Sequence, residues 1–249
     1  RASGPDPLKR LFMQYIRIFQ NAKGRKLTSI ECHDLLCFNG EAVVVGGVRR
    51  AAELSLSNLT DEHMQRAKMG QWFIENPQRA LANNSVCYTE KPDIGIFMRE
   101  WVALYESKSG ERGIFNRQAA KALAPERRDT DHEFGCNPCS EVVLRSCGLC
   151  NLSEVILRPS DTIPNVLRKV RLATILGTYQ STLTDFRYVR PVWKRNAEEE
   201  RLLGVSFTGV FDCPVILNAS PADLEDMKLQ AVEVNALCGY NLHQAVWNG

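Results

Sequence analysis

Apolar residues recur at helical spacing from the start of the chain. After the turn Ser3-Gly4-Pro5-Asp6-Pro7, the positions Leu8, Leu11, Phe12, Tyr15, Ile16 and Phe19 mark one helix face, which Lys23-Gly24 ends. Ser29 reads as the cap of a second helix with Ile30, Leu35 and Leu36 inward. The β-branched end of 41–45 predicts a strand buried on both faces, followed by the glycine-basic loop Gly46-Gly47-Val48-Arg49-Arg50. Alternation over Glu53–Ser57 predicts a half-buried strand, 61–69 a helix, and 85–89 a short strand preceded by Asn83-Asn84. Ile96, Phe97, Trp101 and Leu104 give Ile94–Ser107 a core-facing helical stripe, and 113–115 a brief strand. Residues 126–131 are polar and read as exposed.

The second half continues the mixture. A strand is expected at 152–157, a long helix at 163–179, a polar stretch at 198–201 and a glycine-interrupted strand at 204–211. Pro221 suits the first turn of a last helix reaching Leu237. Strands and helices intermix without repeat or linker, which predicts one α/β segment over 1–249. The chain opens on Arg1 and closes on Gly249, and the expectation is a slice of a longer protein, incomplete at both ends.

Composition narrows the classes. With 44% hydrophobic and 24% charged residues in 249, the chain is neither disordered nor of low complexity. Lys and Arg number 31 against 29 Asp and Glu, so no net field draws it to nucleic acid or to an anionic membrane. Apolar runs fall far short of the ~20 residues a spanning helix needs. With no secretory signal at the start, a soluble cytoplasmic protein is expected.

Nine cysteines, an odd number, argue for reduced thiols rather than a disulfide framework. Cys32, Cys37, Cys87, Cys213 and Cys238 are scattered and read as small hydrophobes. Cys136, Cys139, Cys147 and Cys150 form two C-x-x-C pairs with seven residues between them. Zinc takes such thiolates tetrahedrally, but zinc knuckles usually stand about 12–20 residues apart. Metal binding, buried thiols and redox chemistry all stay open on spacing alone. His33, His63, His132 and His243 lack metal-ligand spacing and read as surface or core residues.

The order Asn137-Pro138-Cys139-Ser140-Glu141, then Cys150-Asn151-Leu152, resembles the active-site finger of ribonucleotide reductases. The eleven-residue step from Cys139 to Cys150 is similar to the adenosylcobalamin-dependent (class II) branch, whose common form is Asn-Pro-Cys-Gly-Glu. Residues 45–51, 79–85, 109–117, 177–187 and 199–204 carry the same resemblance in the same order. It implies part of a ten-stranded α/β barrel with an active-site finger loop. It further implies a radical reduction of ribonucleotides, triphosphates by expectation, with adenosylcobalamin as cofactor.

By the same resemblance Cys139 becomes the thiyl radical that removes the 3′ hydrogen, and Glu141 takes the 3′-hydroxyl proton as general base. Asn137 hydrogen-bonds the ribose hydroxyls. In an extended segment these three alternate residues would share one side. Cys150 is implied as one member of the redox dithiol, its partner lying upstream of Arg1, with thioredoxin or glutaredoxin resetting the disulfide. Gly46, Gly47, Val48, Arg49 and Arg50 match the specificity loop between substrate and a deoxynucleoside triphosphate effector, where arginines meet bases or phosphates. Asn83, Asn84 and Ser85 are expected either to face the barrel mouth and bind substrate or simply to form a turn. Cys136, Cys147 and Ser140 (in the glycine place) depart from the family pattern. Two alternatives stand beside this reading: a reductase whose radical comes from a partner subunit, and a zinc-ribbon module without catalysis. No nucleic-acid or membrane partner is expected.

Overall fold

The computed structural model describes residues 4–45 and 48–248, with backbone alone at 44–45, 48–49 and 239–248. Two compact units divide the chain, Arg1–Arg145 and Ser146–Gly249.

In the first unit α1 (Asp6–Asn21) carries proline in its first turn, where a missing N–H costs nothing. Leu11 of its apolar face is buried, whereas Leu8, Phe12, Ile16 and Phe19 are about half exposed. The next helix, α2 (Ser29–Ala42), starts one residue earlier than Ser29 implies. Thr28 is its cap, accepting from Glu31 N–H while Glu31 accepts from Thr28 N–H, a reciprocal box that satisfies two orphan donors. Hydrogen bonds from Arg25 and then from Thr28 hold the Glu31 carboxyl down at about 2. This helix also absorbs the first half of the strand expected at 41–45. Only β1 (Val44–Val45) remains, paired antiparallel with β2 (Val48–Arg49).

A three-stranded parallel sheet forms the middle of the unit, in the order β3 (Glu53–Ser57), β4 (Ala82–Tyr88), β5 (Gly113–Asn116). Between β3 and β4 the helix expected at 61–69 shrinks to α3 (Glu62–Gln65), capped by Asp61, followed by α4 (Trp72–Glu75) and a 3-10 turn at Pro77–Leu81. Asn83, Asn84 and Ser85 lie inside β4, because parallel pairing with Leu54, Ser55 and Leu56 extends the strand back to Ala82. Helix α5 (Ile94–Ser107) has the expected bounds. Asp93 caps it, and Lys108 ends it at φ 51°. Glu100 and Ala103 are its buried residues, while Trp101 is exposed. After α6 (Arg117–Ala122) comes a small hairpin of β6 (Gly135–Cys136) and β7 (Val143–Leu144). Cys37, Val86 and Phe134 are fully buried in this unit.

In the second unit β8 (Cys150–Ile156) and β9 (Leu202–Thr208) run parallel in full register, with α7 (Ile163–Gln180) and α8 (Pro191–Glu200) between them. Helix α8 escapes the hydropathy pattern because its sequence is mostly polar; Pro191 starts it and Arg201 ends it at φ 40°. A short α9 (Pro214–Leu217) precedes α10 (Pro221–Asn248), which continues past Leu237. Val155, Leu157, Val166, Val170, Ala173, Cys213 and Met227 form the core here. Burying a valine or leucine of that set stabilises by about 1.5–3 kcal/mol.

The architecture is mixed α/β with parallel sheets. Among the described residues no helix is long and apolar enough to cross a membrane.

Candidate functional site

Hairpin β6–β7 presents the Asn-Pro-Cys-Ser-Glu motif at its tip. The ladder continues from Cys136↔Val143 through a bond from Asn137 N–H to Val142 O of 3.2 Å. The chain then reverses, with Ser140 N–H donating to Asn137 O at 2.9 Å. Asn at the first and Pro at the second position suit such a turn. Ser140 follows at φ 67°, in the left-handed region that glycine enters without strain. The motif is therefore a turn rather than the extended segment that period-2 alternation assumes.

Turning brings Asn137 and Glu141 together. Asn137 Nδ2 donates to Glu141 Oε1 at 2.5 Å, and Asn137 Oδ1 accepts from Val142 N–H at 3.0 Å. One amide thus clamps both ends of the turn and keeps a second N–H for another acceptor. Cys139 stands between them, exposed, as does Glu141. Cys136, at the base, differs: burial pushes its thiol up, Ser140 opposes this, and the charge of Glu141 adds to it.

The hairpin is anchored by residues outside its own motif. Arg117 Nε donates to Phe134 O at 2.6 Å, and Arg128 Nη1 to Val143 O at 3.0 Å. The Arg128 guanidinium also lies 4.8 Å from the centre of the buried Phe134 ring. Asn83 Nδ2 donates to Pro138 O at 2.7 Å, joining β4 to the turn. Asn83 is one of the residues expected at the barrel mouth or in a turn, whereas no motif singles out Arg117 or Arg128; Arg117 falls within the stretch 109–117 that carries the family resemblance, its only sequence signal.

Asn84 is 2% exposed and bonded to His33 Nε2 at 2.9 Å, so it is a core residue; Ser85 is half-buried in the same strand. His33 is a buried member of this core, as a histidine without metal spacing can be. The side chain of His243 lies outside the described residues. Among the described residues no group of three or more His, Cys, Asp or Glu is placed to hold a metal ion. None of the nine cysteines is in a disulfide.

Of the residues expected to form an effector loop, Gly46 and Gly47 lie outside the described residues, as do the side chains of Val48 and Arg49. Arg50 is exposed, and its N–H donates to Val43 O at 3.1 Å.

Within the second unit Cys150 opens β8, half-buried, paired with Leu202. Its neighbour Cys147 adopts φ 55° on a turn held by Asn196 of α8, whose Nδ2 donates to Ser146 O at 2.9 Å. Arg190 Nη2 lies 3.2 Å from Cys147 Sγ.

No family model matches the chain, and no solved structure does. Curated relatives do match. An adenosylcobalamin-dependent ribonucleoside-triphosphate reductase of Lacticaseibacillus paracasei is 30% identical over 85% of this chain and 28% of its own length. Enzymes of the same description from Levilactobacillus brevis and Lactobacillus leichmannii are each 29% identical over the same shares. The chain thus spans about 28% of the length of the curated relatives it matches. Over 85% of its residues it is related in sequence to a segment of the adenosylcobalamin-dependent ribonucleoside-triphosphate reductases.

Proposed function

We propose that the chain is a segment of a reductase that converts ribonucleoside triphosphates to 2′-deoxyribonucleotides, the precursors of DNA, through a thiyl radical on Cys139. The juxtaposition at the hairpin tip carries this reading: an exposed thiol, with an amide and a carboxylate clamped to each other on either side of it. The relatives' description supplies the reaction.

Reduction at the 2′ carbon begins with loss of an unactivated 3′ hydrogen, which ionic groups alone do not remove. When bound, adenosylcobalamin supplies the radical. The exposed sulfur of Cys139 fits as the protein site on which that radical is received, since it needs no charge stabilisation and is accessible at the tip of the turn. Glu141 is the base for the 3′-hydroxyl proton. Its Oε1 is held by Asn137, and its Oε2 accepts no hydrogen bond from the described residues. The remaining N–H of Asn137 is the donor for a ribose hydroxyl. Two thiols supply the two electrons: Cys150 and a partner cysteine outside this chain become a disulfide as the 2′-hydroxyl leaves as water. Thioredoxin or glutaredoxin then reduces that disulfide.

The finer architecture follows the same reading. Hairpin β6–β7 is the finger, and the parallel sheets are parts of a ten-stranded barrel. Leu152 and Ile156 of β8 are about half exposed, as apolar residues awaiting further barrel layers are. The loop from Gly46 to Arg50 answers a deoxynucleoside triphosphate effector. Cytoplasmic location suits nine cysteines without a disulfide among them.

The test is deoxynucleotide formation by the full-length protein from a ribonucleoside triphosphate and a dithiol, with and without adenosylcobalamin. Product is expected only with the cofactor, and Cys139→Ser and Glu141→Ala abolish it. Product without cofactor, or from Cys139→Ser, overturns the reading.

A further inference from the structure

The residues on either side of Asn83 are fixed from beneath by buried charged groups. Before it, the Ala82 carbonyl accepts from Lys68 Nζ, and this ammonium also pairs with Glu111 at 2.9 Å. After it, Asn84 N–H donates to Glu111 Oε2 at 3.1 Å. The Asn84 side chain meets His33, whose Nδ1 lies 3.5 Å from Asp34 Oδ1. Arg79 in turn grips Asp34 with two bonds of 2.7 and 2.8 Å. Lys68, His33 and Asn84 are all under one-tenth exposed. Groups like these are buried only when paired, so their geometry is tightly specified. What they specify is the backbone of β4 at one point.

Asn83 itself points its amide elsewhere, to the Pro138 carbonyl. That oxygen and the nitrogen of Cys139 belong to one planar peptide unit, so holding the first orients the second. The pyrrolidine ring already locks φ of Pro138. A bond to its carbonyl restrains ψ, the remaining soft dihedral before Cys139.

We infer that Asn83 is a positioning residue: it ties the turn bearing Cys139 to the pinned strand β4 and so sets where the thiol sits. The inference rests on Cys139 being the radical-bearing thiol. It assigns Asn83 a role other than binding substrate.

The experiment compares Asn83→Asp, similar in shape but without the donor, Asn83→Ser, neutral and too short to reach, and Asn83→Gln, which keeps the donor. Each is made in the full-length protein. Alkylation of Cys139 by iodoacetamide is followed by peptide mass spectrometry, with the exposed Cys32 as internal standard. In Asn83→Asp and Asn83→Ser the Cys139 rate is expected to change by about fivefold or more while Cys32 is unchanged. Turnover falls about tenfold or more, because small misplacements of a reacting group are costly. KM stays within about twofold, and Asn83→Gln retains most of both properties.

An unchanged Cys139 rate with full kcat in Asn83→Asp and Asn83→Ser overturns the inference. So does a raised KM at unchanged kcat, which makes Asn83 a substrate ligand. If the unaltered protein forms no deoxynucleotide with adenosylcobalamin, the reading of function fails, and the alkylation rates then decide the tether by themselves.

Discussion

Glu100 and Arg112 form a deeply buried ion pair in the first unit, and breaking it should cost as much as losing a large core side chain. Arg112 Nε and Nη2 donate to the two oxygens of Glu100 at 2.6 and 2.8 Å, with side chains 1% and 4% exposed. Arg112 Nη1 also donates to Ser57 Oγ at 2.7 Å and to Asn58 O at 3.0 Å, tying the start of β5 to the end of β3. In Glu100→Ala the guanidinium keeps those neutral partners and loses its counter-charge. Two charge-assisted bonds contribute roughly 1.5–3 kcal/mol each, and breaking a buried pair from one side costs about 3–5 kcal/mol. The two routes agree. Hydrogen exchange at the amides of β3 and β5 in the full-length protein reads the effect directly, since each tenfold rise in opening is about 1.4 kcal/mol. Protection should fall by about two to four orders of magnitude. The double variant Glu100→Leu with Arg112→Leu removes both charges, and it should recover more than half of the loss. A loss under about 1 kcal/mol in the single variant, or a double variant no better than the single, refutes the argument.

Three further outcomes are expected. Burial pushes the Asp34 carboxyl up, but the hydrogen bonds from Arg79 and His33 and the Arg79 charge outweigh it and hold the group at about 2. That value lies below the unfolded one of about 3.9, so the stability it contributes is full above pH ~4 and lost as pH falls towards 2; Asp34→Asn should flatten acid unfolding in that window by about 2 kcal/mol. Gly209 has φ 81°, and a Cβ there would lie 2.8 Å from the Leu157 carbonyl oxygen. Gly209→Ala should destabilise the second unit by about 2–4 kcal/mol in thermal unfolding, from backbone strain and a clash with rigid backbone together. Asn196→Ala removes the donor that holds the turn at Ser146 and Cys147, so alkylation of Cys147 should rise about tenfold while that of Cys32 stays constant.

Elements whose reason is local were legible in the sequence. Ile94–Ser107 could be bounded because Asp93 caps it and its apolar residues repeat within one turn of each other. Alternation marked Glu53–Ser57, and the start of α7 and of α10 each carried a proline in the first turn. Where the reason is a distant partner, the pattern failed. Strand β4 reaches back over Asn83 and Asn84 because β3 pairs with it there, and the polar helix α8 shows no apolar stripe to read.

The same division runs through the candidate site. Sequence alone determined its chemistry: which residue carries a thiol, which a carboxylate, which an amide, and their order around Cys139. The turn at Asn137-Pro138 is local too, since those side chains act on their own backbone, although the alternation expected there assumed an extended segment. Tertiary structure decided the rest. The Asn83 bond to Pro138 O joins residues 55 apart, and the Asp34 bonds to Arg79 join residues 45 apart. Such contacts leave no periodicity, because a chain's periodicity records only neighbours within a turn or a pleat, whereas these partners meet only once the strands between them have paired.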